Sequence, residues 1–155
     1  VTLEIGQQAP EGRFEVSGGL RRAISDYRGA PLVLYFYPKD DTTGCTKEAQ
    51  DFTALADDFA AVGVRVVGIS KDSIARHDKF VGKYDLRVEL GSDVDGSLCE
   101  AFGVWVEKTL YGRKYMGIER ATFLVASDGK LVETWRKVKV AGHANKVLDA
   151  VRTRI

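Results

Sequence analysis

Cys45 is the residue of this chain best placed to do chemistry. It stands in Pro38-Lys39-Asp40-Asp41-Thr42-Thr43-Gly44-Cys45-Thr46-Lys47-Glu48, where an apolar run gives way to a polar, turn-forming stretch. With Thr42 or Thr43 as the N-cap of a following helix, Cys45 falls in the first turn, where backbone N–H groups lack partners and the positive end of the dipole favours an anion. A thiolate is such an anion, and it is the nucleophilic form of cysteine. The bland alternative, a buried thiol acting as a small hydrophobe, fits poorly with these polar neighbours. Between Lys39 and Glu48 two lysines are set against Asp40, Asp41 and Glu48, a surplus of negative charge that opposes ionisation. Another cation therefore has to converge on the sulfur from elsewhere in the chain.

The elements around Cys45 say where that cation comes from. Leu32 to Tyr37 is an uninterrupted β-prone apolar run, as expected of a strand covered on both faces. From Gly44 to Phe59 the apolar residues Ala49, Phe52, Ala56 and Phe59 recur at helical spacing. Val64 to Ser70 gives a second buried strand, so the unit is strand, helix, strand with a right-handed crossover. A helix over Ser73 to Tyr84, a short strand over Arg87 to Leu90, a turn over Gly91 to Gly96 and a short helix over Ser97 to Phe102 follow. Thr122 to Ala126 and Lys130 to Arg136 flank Ser127-Asp128-Gly129, an Asp-Gly hairpin signal, and Ala144 to Arg152 closes the chain as a helix. Phe14 to Val16 and Ala23 to Ser25 form an expected extra hairpin about Gly18-Gly19. This order predicts a single α/β domain over residues 1–155 of thioredoxin-like fold: a central mixed β-sheet flanked by helices, with an N-terminal β-hairpin extension. In that arrangement the start of the Thr122 strand lies beside the Cys45 helix, which nominates Arg120 as the missing cation. Its planar fork of donors can hold a sulfur and a second acceptor together, as a lysine cannot. The competing reading of Arg120 is an ordinary strand-edge salt bridge with Glu119.

Composition excludes several functions. The chain is 45% hydrophobic, enough for one core in 155 residues, and 23 basic against 22 acidic residues leave a net charge of +1. That charge supplies no field to draw in nucleic acid. No run approaches the roughly 20 apolar residues of a membrane span, and no secretory leader is expected, so the reading is a cytoplasmic protein with reduced thiols. Two cysteines and two histidines, all distant in sequence, make a structural metal site unlooked for, and no cofactor is implied. His77 and His143 read as surface histidines. Asp93-Val94-Asp95-Gly96 looks like part of a calcium loop, but Val104 stands where a bidentate Glu belongs, so it reads as a turn. The seven Lys or Arg from Lys130 to Ile155 against Glu133 and Asp149 read as a solvated face, and Trp105, Trp135 and the segment Tyr111 to Tyr115 as core or loop packing. A dithiol oxidoreductase requires C-x-x-C, absent around Cys45, and a cysteine hydrolase requires a base histidine that nothing ties to Cys45.

Pro38-x-x-x-Thr42-x-x-Cys45 resembles the active-site motif of peroxiredoxins. The longer FYPKDDTTGCTKE, with VVGIS, YGRKYMGIERATFLV and WRKVKVAGHANKVL further on, is similar to the subgroup called bacterioferritin comigratory protein or PrxQ. The resemblance spans nearly the whole chain. It implies a thiol-dependent peroxidase in which Cys45 attacks hydrogen peroxide or an alkyl hydroperoxide, Arg120 and Thr42 orient the peroxide, Pro38 shields the sulfur, and Glu48 holds Arg120. The alternative use of the same cysteine is a redox sensor or holdase without fast turnover. The sequence departs from the subgroup at Thr43, commonly proline, and at Gln50 and Val81, the two places that often carry a resolving cysteine. Cys99 remains, either as a small hydrophobe under a short helix or as a resolving thiol. The favoured reading is a one-cysteine cycle in a monomer, recycled by thioredoxin or another external thiol.

Overall fold

The computed structural model describes residues 3–155. Strand β3 (Leu32–Phe36) is buried along its whole length because it runs through the middle of a seven-stranded sheet. It pairs in parallel with β4 (Arg65–Ser70), Leu32 opposite Arg65, and antiparallel with β8 (Ala121–Val125), Leu32 opposite Val125. On the far side of β4 lies β5 (Glu89–Ser92), also parallel, and outside β8 lies β9 (Leu131–Trp135). The N-terminal hairpin forms between β1 (Arg13–Glu15) and β2 (Arg21–Ala23), with Phe14 opposite Arg22. Its second strand begins two residues earlier than the Ala23 to Ser25 expectation. The hairpin is no appendage either: Glu15 pairs with Ser92, so β1 and β2 complete one edge of the sheet in the order β2-β1-β5-β4-β3-β8-β9.

Successive side chains of a strand point to opposite faces, so β3 divides the interior into two cores. Leu32, Leu34 and Phe36 join Phe14, Leu98, Cys99, Phe102 and Phe123 on one side. Val33, Tyr35 and Tyr37 join Cys45, Ala49, Phe52, Phe80, Val147 and Leu148 on the other. The second side is covered by α1 (Thr43–Ala54), α2 (Ala56–Ala61), α3 (Ile74–Tyr84) and α5 (His143–Arg154). The first is covered by α4 (Ser97–Ala101) and a 3-10 turn over Ile24–Tyr27. The single helix expected over Gly44 to Phe59 is thus two, broken where Leu55 leaves helical geometry at φ −100° and ψ 8°.

Two expectations fail on the second half of the chain. Trp105 and the segment Tyr111 to Tyr115, read as core or loop packing, belong to a second sheet: β6 (Trp105–Leu110) pairs antiparallel with β7 (Arg113–Ile118) around Tyr111-Gly112. Both turn residues have positive φ, 51° and 76°, the geometry of a tight two-residue hairpin turn. The turn expected over Gly91 to Gly96 is shortened, because β5 continues to Ser92 and buried Asp93 then accepts hydrogen bonds from the N–H groups of Leu98 (3.1 Å) and Cys99 (2.8 Å). Asp93, with Asp95 accepting from the Ser97 N–H at 3.0 Å, therefore satisfies the start of α4. No helix among the described residues is long and apolar enough to cross a membrane.

Candidate active site

The end of β3 delivers Pro38 and the polar loop, and Thr42, with extended backbone at φ −92° and ψ 158°, is the N-cap residue of α1. Thr46 N–H bonds to the Thr42 carbonyl at 2.8 Å, so the N–H groups of Thr43, Gly44 and Cys45 precede the first helical hydrogen bond. The Thr42 hydroxyl does not cap them. It donates instead to the Lys39 carbonyl at 2.9 Å, which commits its one proton and leaves it only acceptor capacity. Cys45 is 2% exposed and its thiol is free.

The cation predicted from topology is in place. Arg120, just before β8, directs Nη2 at Cys45 Sγ, 3.4 Å away, and Nη1 at Glu48 Oε1, 2.7 Å away. Glu119 is not its partner, because Glu119 bonds to Arg136 at 2.6 Å. Glu48 lies one helical turn after Cys45 on the inner face of α1 and is 1% exposed, with Oε2 unpartnered among the described residues. Burial raises its pKa to about 7, outweighing the Arg120 guanidinium beside it. Burial alone would lower the Arg120 pKa, but Glu48 and Cys45 together hold it above the usual arginine value. Gly44 makes room for this arrangement: a Cβ there would sit 3.0 Å from Arg120 Nη2.

Both histidines are corrections. His77 is 2% exposed, on the inner face of α3, with Nδ1 2.6 Å from Asp40 Oδ2 and Nε2 3.0 Å from the Gly91 carbonyl. Tyr37 donates its hydroxyl to the other oxygen of Asp40 at 2.5 Å, and the Asp40 N–H bonds to Asp72 at 2.8 Å. His143 is buried as well, Nε2 lying 2.8 Å from the Thr122 hydroxyl, with its ring edge-on to Phe52 and Trp135. Burial, helped by Lys146 and Arg120, lowers its pKa to about 4, so the ring is neutral at physiological pH. The partners of these rings are distant in sequence, and only the fold brings them together. The ligand-type atoms of Asp40, Asp72 and His77 lie within 4.8 Å of one another. Each is already engaged in hydrogen bonds, so the trio serves as a polar clamp between the loop and α3. Asp41, at positive φ (61°), extends the clamp by accepting from Lys83 Nζ at 2.8 Å and the Tyr84 hydroxyl at 2.6 Å.

Cys99 is fully buried in the other core, so the central sheet stands between the two thiols. Burial, reinforced by Asp93, pushes its pKa well above the ordinary thiol value. Both effects favour the neutral thiol over the nucleophilic thiolate in this setting.

The chain is similar to known proteins along nearly its whole length. Residues 5–134 match the AhpC/TSA family. Peroxiredoxin Bcp of Xanthomonas campestris is 48% identical over 139 residues, covering 90% of this chain and 87% of that protein. Peroxiredoxin Bcp of Bacillus subtilis is 45% identical, covering 98% and 97%. A solved bacterioferritin comigratory protein of Xanthomonas campestris, studied as trapped intermediate and ligand complexes for its alkyl peroxide reduction activity, superposes with a TM-score of 0.92 at 43% identity, covering 100% of this chain and 98% of that one. The chain belongs to the AhpC/TSA family, among its Bcp/PrxQ peroxiredoxins, a class of peroxidase oxidoreductases.

Proposed function

We propose that the chain reduces hydrogen peroxide and alkyl hydroperoxides through Cys45 in a one-cysteine cycle completed by an external thiol. The observation that carries this reading is the single guanidinium of Arg120 spanning Cys45 Sγ and Glu48 at the start of α1. The Cys45 thiolate attacks the terminal peroxide oxygen; an S–O bond forms as the O–O bond breaks. The sulfur is left as sulfenic acid, and the other oxygen departs as hydroxide or alkoxide and takes up a proton. Negative charge builds on that oxygen in the transition state. Arg120 and the Cys45 N–H are donors held in advance to meet it, each worth about 3 kcal/mol of barrier. The Thr42 hydroxyl, its proton spent on Lys39, acts as an acceptor for the peroxide O–H and fixes which oxygen faces the sulfur. Pro38, partly buried at the end of β3, is assigned to shielding the thiolate. The relative from Xanthomonas campestris, with its alkyl peroxide reduction activity, supports alkyl hydroperoxides as part of the substrate range.

Recycling needs a thiol from outside. Gln50 and Val81 offer none, and Cys99 lies across the sheet from Cys45. A first thiol, from thioredoxin or a small-molecule thiol, displaces water from the sulfenic acid to give a mixed disulfide, and a second thiol releases Cys45. The test is intact-protein mass after one equivalent of peroxide. Under this reading the chain gains one oxygen, trapped by a sulfenic-acid reagent, and Cys99→Ser behaves as the parent. Loss of two hydrogens, or a Cys99→Ser protein that no longer turns over with thiol, refutes the one-cysteine cycle. A Cys45→Ser protein that still consumes peroxide refutes the assignment of the site.

A further inference from the structure

The reach of Arg120 to the sulfur depends on how its backbone is held from either side. On one side the sheet holds it, because Ala121 pairs with Phe36 as β8 begins. On the other side the work falls to Glu119, whose N–H bonds to the Val104 carbonyl at 2.7 Å and closes the base of the β6–β7 hairpin. The Glu119 carboxylate, 13% exposed, accepts from Arg136 Nε at 2.6 Å and from the Lys137 N–H at 3.3 Å. Arg136 extends past it, and Nη2 donates to the Gly103 carbonyl at 2.7 Å. One guanidinium thus joins the end of β9, the segment after α4 and the residue before Arg120. The next N–H along the chain, that of Val138, bonds to the carbonyl of Arg120 itself at 3.0 Å. Lys137, whose backbone aims these two successive N–H groups, has positive φ (47°). A residue with a side chain persists in that conformation only where the surrounding contacts impose it.

A lone ion pair at a surface contributes little. This one differs in its geometry: the planar fork of Arg136 spans two acceptors in two segments of the chain, and the carboxylate it holds belongs to the residue that leads into Arg120. We propose that Arg136 and Glu119 are positioning residues of the Cys45 site: their pair, anchored on Gly103, fixes the backbone from which Arg120 projects and so sets its Nη2 against the sulfur. The pair acts on the sulfur only through Arg120. Its part in peroxide reduction rests on the function proposed above; its placing of the guanidinium does not.

The test separates the two. In the parent, in Arg136→Met and in Glu119→Ala, Cys45 is alkylated with iodoacetate and with iodoacetamide at one pH, and the ratio of the two rates is taken. Both reagents meet the same sulfur, so the ratio reads the positive charge beside it. The two substitutions remove charges of opposite sign. A charge felt through space would therefore lower the iodoacetate-to-iodoacetamide ratio in Arg136→Met and raise it in Glu119→Ala. A guanidinium drawn off the sulfur lowers it in both, by about threefold. The double variant lies at the level of the single ones, because the same tie is broken in each. The peroxide rate constant falls by about tenfold in all three, the effect of a misplaced donor. A ratio that moves in opposite directions in the two single variants, or keeps its parental value in both, overturns the proposal, as does a double variant that shows the product of the two single losses. If the ratio falls in both while the parent consumes no peroxide, the placing of Arg120 by this pair stands and the peroxidase reading falls.

Discussion

Arg120→Lys is the perturbation that asks most of the site. The guanidinium makes two contacts through two nitrogens, 3.4 Å to Cys45 Sγ and 2.7 Å to Glu48 Oε1, and its side chain is only 16% exposed. A lysine ammonium is a compact point charge and cannot occupy both positions. It will settle on Glu48, the closer and fully buried anion, and withdraw from the sulfur. The reaction then loses one fixed donor at the departing oxygen, about 3 kcal/mol or a factor of about 10²–10³ in rate. Stability should change little, because Glu48 keeps a cation. Arg120→Met removes both contacts. Breaking a buried pair costs about 3–5 kcal/mol when the surviving charge cannot adjust. Glu48, with its pKa already near about 7, escapes part of that cost by taking up a proton. The assay is the second-order rate constant for peroxide consumption with thiol in excess, paired with a thermal melt of each variant. The expected pattern is a large rate loss with an unchanged melt for Lys, and the same loss with a lower melt for Met. Arg120→Lys retaining the parental rate within about threefold, where a loss of about 10²–10³ is expected, would refute the two-contact argument.

Three further outcomes follow from the same contacts. Gly44→Ala places a methyl 3.0 Å from Arg120 Nη2 and is expected to slow peroxide consumption by about tenfold, a misplacement effect, with little change in the melt; a parental rate would mean that the guanidinium has room to spare. Glu48 and His143 give opposite pH slopes to stability, measured as melting temperature against pH. The Glu48 pKa is raised from 4.5 to about 7, so the folded state holds its proton more tightly and gains stability as pH falls from about 7 toward 4.5; Glu48→Gln removes that gain. The His143 pKa is lowered from 6.5 to about 4, so the unfolded chain takes up the proton first and stability is lost as pH falls from 6.5 toward about 4; His143→Gln flattens that loss.

The fold was legible wherever burial leaves a periodic trace. The unbroken run of β3, the helical spacing of Ala49 and Phe52 and the Asp-Gly turn between β8 and β9 all describe elements that bury a face. The β6–β7 hairpin left no such trace, because most of its residues are exposed and neither strand alternates cleanly. Its one local signal is Tyr111-Gly112, and tyrosine is not a residue that ordinarily marks a turn with positive φ. The break at Leu55 carries neither glycine nor proline. His77 and His143 looked like surface residues because a buried histidine is recognisable only by its partner, and Asp40 and Thr122 are brought to them by the sheet. Cys45 and Arg120 were legible as a pair, since element order alone sets the start of β8 beside the start of α1.

The local charge of the loop was the strongest argument against an anionic sulfur, and its resolution lies in where the carboxylates go. Asp40 is turned into the gap between the loop and α3, where Tyr37 and His77 take its two oxygens. Asp41 is drawn outward to Lys83 and Tyr84. Glu48 is occupied by Arg120, the same group that reaches the sulfur. Three acids adjacent in sequence to Cys45 are thus each tied to a donor, and two of those ties also pin the loop that carries Pro38 and Thr42 to α3. The clamp places a further demand on the chemistry. Cys45 is 2% exposed, so a thiol that attacks its sulfenic acid has to gain access to a buried sulfur. Asp40→Asn, which weakens the tie to His77, is expected to loosen the loop and slow peroxide consumption while leaving the Arg120–Glu48 pair formed. A variant with the parental rate and parental protection of the loop amides from hydrogen exchange would show that the clamp does not govern the site.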